Sequence, residues 1–264
     1  MKTAVCFSGN LDALHSADNL LEMVIRPYNA DVFIDTWIPY PKHTMLLGDA
    51  EPAVDYFTPP DQEPKLINEV IVENPPNVNE YAEKYQPKLM NLEHFDASPI
   101  THQIRAVLPK SKRTIKGTES AGTKVENVFF MWYKIWKANQ MRKLYEQHNR
   151  IRYDCVIRLR FDTTFKEFPY IEPERKTVYI PDGGDYEGGI CDQVALADAT
   201  TMDLYCELYN DLYRYTVAGF GCHPESMLRR HLEVNRLTVK RFECDFALRG
   251  GLQNLPILKG TDLL

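Results

Sequence analysis

The sequence predicts an α/β fold with a mostly parallel central sheet flanked by helices. Three observations predict it. Short apolar runs with β-branched residues alternate with helical stripes along the chain. A strand, a helix and a second strand follow one another within the first 37 residues. The chain has 264 residues, of which 44% are hydrophobic and 26% charged, enough for one large core. We expect a single domain over residues 1–264.

The first half of the predicted sheet begins at the N-terminus. Residues 3–7 form a short apolar run that ends at a Ser-Gly-Asn turn, which favours a buried first strand. A helix follows that Ser16 can cap and Pro27 ends. Residues 31–37 are then predicted to form the second strand, as in the opening of a doubly wound sheet.

A proline-rich insert follows the second strand. Eleven of the 17 prolines lie between residues 39 and 109. Proline removes a backbone donor and disfavours long regular elements, so the insert, about residues 39–123, is predicted to be irregular structure wrapped on the domain. A strand-like run at 66–72 and a weak helical stretch at 80–85 interrupt it. Residues 109–124 form a basic loop, either a solvated charge run or a mobile lid over a bound diphosphate.

Regular periodicity returns in the second half of the chain. Residues 125–148 carry a clear helical stripe, and residues 153–160 form a strand. This strand ends with Arg158 and Arg160 on one face, because side chains alternate along a strand. Further predicted elements are a strand at 177–180, a helix at 200–213 with a capping box of Thr200 and Asp203, a helix from Pro224 to about Asn235, and a strand at 237–242.

Charge and cysteine usage exclude several classes of protein. The net charge of -6 argues against a general nucleic-acid binder, which needs a basic excess to neutralise phosphates. No two of the six cysteines have the spacing of a structural zinc site, and several lie in apolar runs, as expected in a reducing compartment. No apolar stretch approaches the length of a membrane span. We expect a soluble, cytoplasmic protein without a transmembrane segment.

The strand that ends at Arg160 leads into the strongest candidate site. Ligands of open α/β sheets bind at the carboxyl ends of the strands. Arg158 and Arg160 offer planar donors suited to a diphosphate, and Asp162 could hold a divalent metal ion on the same phosphates. The alternative interpretation is an Arg–Asp ion pair that fixes the strand end.

The ends of the first two strands supply further candidates for nucleotide binding. Ser8, Gly9 and Asn10 follow the first strand, where a backbone without Cβ lets a base or ribose approach closely; a simple glycine turn is the alternative. Asp35 and Trp37, at the end of the second strand, are candidates for ribose hydrogen bonding and base stacking. A core position is the alternative for the tryptophan.

Two later segments carry carboxylates suited to proton transfer. Asp192, after a glycine pair, is our first candidate for the base that takes the proton from an acceptor hydroxyl, with helix capping as the alternative. His223 and Glu225 lie at a helix start, where free N–H groups favour anions. His223 could bind a metal ion or a phosphate, or be structural. Glu225 could be the base instead of Asp192.

The order of these motifs resembles the GT-A nucleotide-diphospho-sugar transferases. The motifs are the first strand ending in Phe-Ser-Gly, the strand Asp-Val-Phe-Ile-Asp-Thr-Trp, and the strand Tyr-Asp-Cys-Val-Ile-Arg-Leu-Arg-Phe-Asp. The resemblance covers most of the chain apart from the insert. It implies a GT-A-like, Rossmann-like fold that moves a sugar from a nucleoside-diphosphate sugar to a hydroxyl of a carbohydrate acceptor. It also implies acceptor-side roles for Asp192 and Gln193.

The family usually holds manganese or magnesium on the donor diphosphate with an Asp-x-Asp motif, and this chain departs from that pattern. Asp162-Thr163-Thr164 supplies one carboxylate only, so Arg158 and Arg160 could neutralise the diphosphate with or without a metal ion. The missing acid also prompts a second hypothesis, a non-catalytic nucleotide- or carbohydrate-binding protein. A phosphohydrolase with Asp162 as nucleophile is disfavoured, because no second acid follows it. The chain lacks the glycine fingerprints of P-loop kinases and dehydrogenases.

Overall fold

A seven-stranded mixed sheet forms the centre of the fold in the computed structural model, which describes residues 1–11, 14–38, 78–94, 125–185, 188–218 and 223–248. Its strands are β1 (Thr3–Asn10), β2 (Asp31–Ile38), β3 (Leu89–His94), β4 (Cys155–Arg160), β6 (Thr177–Pro181), β7 (Ala195–Ala197) and β8 (Thr238–Phe242). They lie in the order β3-β2-β1-β4-β7-β6-β8. A second sheet pairs β5 (Thr163–Phe165) with β9 (Phe246–Leu248).

Strand directions confirm the prediction of a mostly parallel α/β sheet. β3, β2, β1 and β4 are parallel neighbours, and β6 is parallel to β8. β7 runs antiparallel to both β4 and β6. Because β7 is reversed, the residues that precede it lie at the same edge of the sheet as the residues that follow β4. The fold therefore brings Asp192 towards the end of the strand that carries Arg158 and Arg160.

Helices cover both faces of this sheet. They are α1 (Ala17–Leu20), α2 (Val78–Tyr85), α3 (Val125–Asn149), α4 (Ala199–Cys206), α5 (Leu208–Val217) and α6 (Pro224–Val234). Alternate side chains of β1 enter two different hydrophobic clusters, Ala4 and Cys6 with α3, and Val5 and Phe7 with α1 and α2. In the part of the chain that the structure describes, no helix combines the length and apolar character that a membrane crossing requires.

Residues 78–94 of the proline-rich insert form α2 and the sheet strand β3. The helix confirms the predicted helical stretch at 80–85, and the prediction of irregular structure is wrong for the strand. Pro87 lies between the two elements rather than inside either, which removes the physical objection to them. The predicted strand at 66–72 and the basic loop at 109–124 lie outside the described residues.

The predicted helix at 200–213 is two helices, α4 and α5, and its predicted cap is wrong. The N-cap of α4 is Asp198, whose carboxylate accepts hydrogen bonds from the amides of Thr200 and Thr201. Asp203, the expected partner in a capping box, instead forms an ion pair with Arg142 of α3. The predicted cap, Thr200, therefore lies two residues after the observed cap.

Candidate functional site

Three predicted site residues lie side by side at the carboxyl ends of neighbouring strands. Ser8 of β1 is in register with Arg160 of β4 on one side and with Asp35 of β2 on the other. Residues in register on parallel strands point to the same face, here the face covered by α3. Asn91 of β3 continues the row and donates a hydrogen bond to Asp35 (2.5 Å). The sheet thus assembles a polar row from four strands.

Arg158 is buried and lacks partners for two of its nitrogen atoms. Its side chain is 2% exposed, and neither Nε nor Nη1 has a hydrogen-bond partner among the described residues. A guanidinium remains protonated in proteins, and an unsatisfied buried N–H costs about 1–3 kcal/mol. Arg158 therefore presents donors that an anionic group would satisfy.

Arg160 is already engaged. Its Nε and Nη2 atoms donate to Oδ1 and Oδ2 of Asp162 at 2.8 and 2.7 Å, a bidentate pair. Burial acts to raise the pKa of Asp162, but the hydrogen bonds and charge of Arg160 outweigh it and lower the pKa. The ion pair that was the alternative interpretation of this strand end is present.

Asp192 lies in the loop before β7 and within the electrostatic influence of both arginines. It is 4% exposed, and burial raises the pKa of its carboxyl group, while the charges of Arg158, Arg160 and His223 act to lower it. The next helix along the chain is capped by Asp198 and not by Asp192. Its neighbour Gln193 is partly exposed.

Glu225 belongs to the first turn of α6 and lies within the electrostatic influence of Asp192. Burial raises the pKa of Glu225 to about 7, and the negative charges of Asp192 and Asp185 add to this effect. His223 is the N-cap residue, and its Nδ1 atom lies 2.8 Å from Oε2 of Glu225. A carboxyl group that titrates near neutral pH can exchange a proton with a bound substrate. We call Arg158, Arg160, Asp162, Asp192, His223 and Glu225 the arginine–carboxylate site.

A second charged cluster adjoins the polar row. Lys134 of α3 is 1% exposed, and its Nζ atom lies 2.6 Å from Oε2 of Glu93 and 3.4 Å from Oδ1 of Asp35. Burial raises the pKa of Asp35 to about 6 against the lowering effects of Lys134 and Asn91. Oδ2 of Asp35 has no hydrogen-bond partner among the described residues. The sequence did not indicate Lys134 as a site residue, because this lysine lies between the apolar residues of the helical stripe of α3.

Trp37 packs against aromatic side chains of α3. Its ring stacks on Tyr133 at 5.6 Å and meets Phe130 edge-on at 6.4 Å between centroids, both on α3. Lys134 Nζ lies 3.8 Å from the centre of the indole ring, a cation–π distance. The side chain keeps partial exposure and belongs to neither cluster of buried hydrophobic residues, so the role of Trp37 in base stacking stays a prediction.

The position of Gly9 favours glycine because of its backbone conformation, and not because a neighbouring atom would clash with a Cβ. Its φ of +128° is a conformation that L side chains rarely adopt, and no described atom lies within 4 Å of the position that a Cβ would take there. Its carbonyl oxygen accepts a hydrogen bond from Thr36 Oγ1 (2.6 Å). The side chain of Asn10 lies outside the described part of the structure.

The two predicted metal ligands, Asp162 and His223, each contact another side chain of the arginine–carboxylate site. Both carboxylate oxygens of Asp162 are bound by Arg160, and His223 lies against Glu225. Across the described ranges, no group of three or more His, Cys, Asp or Glu side chains is placed to hold a metal ion. A metal ion on Asp162 or His223 therefore stays a prediction.

The chain matches no protein-family model, and no curated protein shows a significant match. The functional interpretation therefore depends on the geometry of the arginine–carboxylate site.

Proposed function

We propose that the protein is a glycosyltransferase of GT-A type that moves a sugar from a nucleoside-diphosphate sugar to a hydroxyl group of a carbohydrate acceptor. One observation carries the proposal. The buried guanidinium of Arg158, two of whose nitrogen atoms lack hydrogen-bond partners among the described residues, lies at the carboxyl end of a mostly parallel sheet. It is within electrostatic reach of the Asp192 carboxyl group. An anion site next to a proton acceptor is what sugar transfer from a diphosphate requires.

Arg158 has the role of diphosphate ligand in this proposal. Its Nε–H and Nη1–H groups would bind phosphate oxygens and stabilise the negative charge that develops as the diphosphate departs. Arg160, held by Asp162, adds positive charge beside the same position without giving up its own bidentate pair. These residues account for charge stabilisation, so no step is assigned to a metal ion.

Glu225 or Asp192 has the role of general base. The pKa of Glu225, raised to about 7 by burial, matches the working range of a base at neutral pH. Asp192 is more deeply buried and lies nearer the positive charges, as its electrostatic neighbours indicate. These properties support Glu225 as the proton acceptor, with Asp192 beside the anion site, whereas the sequence favoured Asp192 as the base.

A turnover assay tests the proposal. The protein is incubated with a panel of nucleoside-diphosphate sugars and carbohydrate acceptors, and release of the nucleoside diphosphate is measured. Glu225→Gln or Asp192→Asn should lower kcat by about 100-fold or more. Glu174→Gln, which alters an exposed carboxylate paired with Lys240, serves as the matched control and should keep wild-type turnover.

The second candidate function is a binding protein without turnover. The engaged carboxylate of Asp162 favours it, because the residue that carries the family's metal chemistry is occupied by Arg160. Nucleotide binding without release of diphosphate from any donor would select this function over the transferase.

A further inference from the structure

The segment between β6 and β7, residues 182–185 and 188–194, contacts the backbone at the start of α6. A Cβ atom at Gly189 would lie 2.4 Å from the carbonyl carbon of Glu225 and 2.6 Å from the amide nitrogen of Ser226. The amide of Ile190 donates a hydrogen bond to the carbonyl oxygen of Glu225 (3.1 Å). The β6–β7 segment therefore lies directly against the residue that carries the proposed base, and at this contact only glycine fits.

Asp185, a residue of the same segment, holds it through side-chain hydrogen bonds. Oδ1 of Asp185 accepts a hydrogen bond from the amide of Cys191 (2.8 Å), and Oδ2 accepts one from Arg241 Nη2 (2.6 Å). Arg241 Nη1 donates to the carbonyl oxygen of Pro181 at the end of β6 (3.0 Å). One carboxylate thus joins the start of the segment, its end and the edge strand β8.

This arrangement connects the two carboxyl groups of the arginine–carboxylate site through the backbone. Cys191, whose amide is bound by Asp185, immediately precedes Asp192. Gly189 and Ile190, in the same segment, contact Glu225. A change in the backbone path here would therefore alter the separation of the two carboxyl groups.

We propose that Asp185 and Arg241 are positioning residues that hold the β6–β7 segment in the conformation that places Asp192 beside Glu225. The inference rests on the proposed function for the roles of those two carboxyl groups. Arg158 lies on β4, outside the segment, so donor binding should survive loss of the pair. The effect should fall on kcat rather than on KM, because misplaced catalytic groups slow the reaction without removing the ligand contacts.

The variants Asp185→Ala and Arg241→Met test this inference. Arg241→Lys is the conservative rescue, and Lys240→Met is the matched control, because Lys240 is the neighbouring residue of β8 and forms an exposed pair with Glu174. Amide hydrogen exchange of Ile190 and Cys191 should accelerate about tenfold or more in the first two variants. Their kcat should fall by about 10- to 100-fold, with KM changed less than about threefold. Arg241→Lys should restore part of the loss, and Lys240→Met should change neither quantity.

Wild-type exchange and kcat in both variants would overturn the inference, and so would faster exchange with an unchanged kcat. Failure of the proposed function can be distinguished from failure of this inference. If the wild-type protein transfers no sugar, hydrogen exchange decides alone. Faster exchange confined to Asp185→Ala and Arg241→Met then supports the positioning pair, and exchange equal to that of Lys240→Met overturns it.

Discussion

The two arginines at the end of β4 differ in their partners although they share one face of the strand. Arg160 donates to both oxygens of Asp162, whereas two nitrogen atoms of the buried Arg158 lack partners among the described residues. Burying an unsatisfied charged donor is costly, and such groups are found where a ligand completes them. Under the proposed function, we therefore expect donor binding to depend on Arg158 more than on Arg160.

The pKa of Glu225 predicts how turnover depends on pH. A carboxyl group whose pKa is raised to about 7 can accept a proton only once it is ionised. kcat/KM should therefore fall about tenfold per unit as the pH decreases below about 7. Profiles measured between about pH 5.5 and 8.5 test this, since Glu225→Gln should lose most of its activity and this acidic limb with it. An unchanged limb in the variant would assign the ionisation to another group.

The raised pKa of Asp35 predicts that the folded state loses stability as this carboxyl group ionises. Its pKa is about 6 in the folded chain and 3.8 in the unfolded chain, so the folded state binds the proton more tightly. Stability should therefore decrease as pH rises from about 4 to about 6, by up to about 3 kcal/mol. Asp35→Asn should remove this contribution.

Urea denaturation of the wild type and Asp35→Asn at a series of pH values measures the difference. Glu93→Gln is the matched control from the same cluster. The pKa of Glu93 is lowered, since the hydrogen bonds from Lys134 and Lys137 outweigh the effect of its burial. Its contribution to stability is present above pH 4.5 and is lost at lower pH, the opposite sign. Equal pH dependence of wild type and Asp35→Asn would contradict the account of Asp35.

Strand-end residues were predictable from the sequence, because the carboxyl ends of parallel strands meet at one edge. Ser8, Asp35 and Arg160 were each assigned to the end of a predicted strand, and the register of β1, β2 and β4 places them side by side. Lys134 could not be predicted, because a charged residue that lies between the apolar positions of an amphipathic helix usually faces solvent. Arg241 could not be predicted either, since its partner Asp185 is distant in sequence and the contact depends on how β6 and β8 pair.

At the scale of helices and strands, the length of each element decided whether the sequence could predict it. The 25-residue helix α3 and the strands β1, β2 and β4 have clear periodicity, and their predicted bounds differ from the observed ones by a few residues. The three-residue strands β5, β7 and β9 are too short to show any periodicity. β7 matters most, because its reversal brings Asp192 to the site.

The contact between the β6–β7 segment and α6 predicts a large effect of one methyl group. Gly189→Ala places a Cβ against the backbone of Glu225 and Ser226, which cannot move without shifting the helix start. Gly188→Ala is the matched control, since no described atom lies within 4 Å of its Cβ position and only the φ of +69° opposes the change. The control should cost about 1–2 kcal/mol of unfolding free energy, and Gly189→Ala clearly more. Equal losses in chemical denaturation would argue against the close contact.

At the scale of the whole molecule, the net charge of -6 contrasts with the local charge at the site. A chain that is acidic overall can bind an anionic donor only where positive charge is concentrated and water is excluded. The converging strand ends bring Arg158 and Arg160 together beside the carboxyl groups of Asp162 and Asp192. Under the proposed function, the strand topology rather than the overall composition supplies the charge that the donor requires.

Calorimetric titration with UDP, GDP, CMP and dTDP, with and without manganese, tests the central claim most directly. The account predicts that at least one nucleotide binds the wild-type protein and that Arg158→Met weakens its binding by about 10- to 100-fold. Arg26→Met, which alters an exposed arginine paired with Glu22, should bind as the wild type does. Absence of binding by all four nucleotides, or binding that Arg158→Met leaves unchanged, would contradict the account.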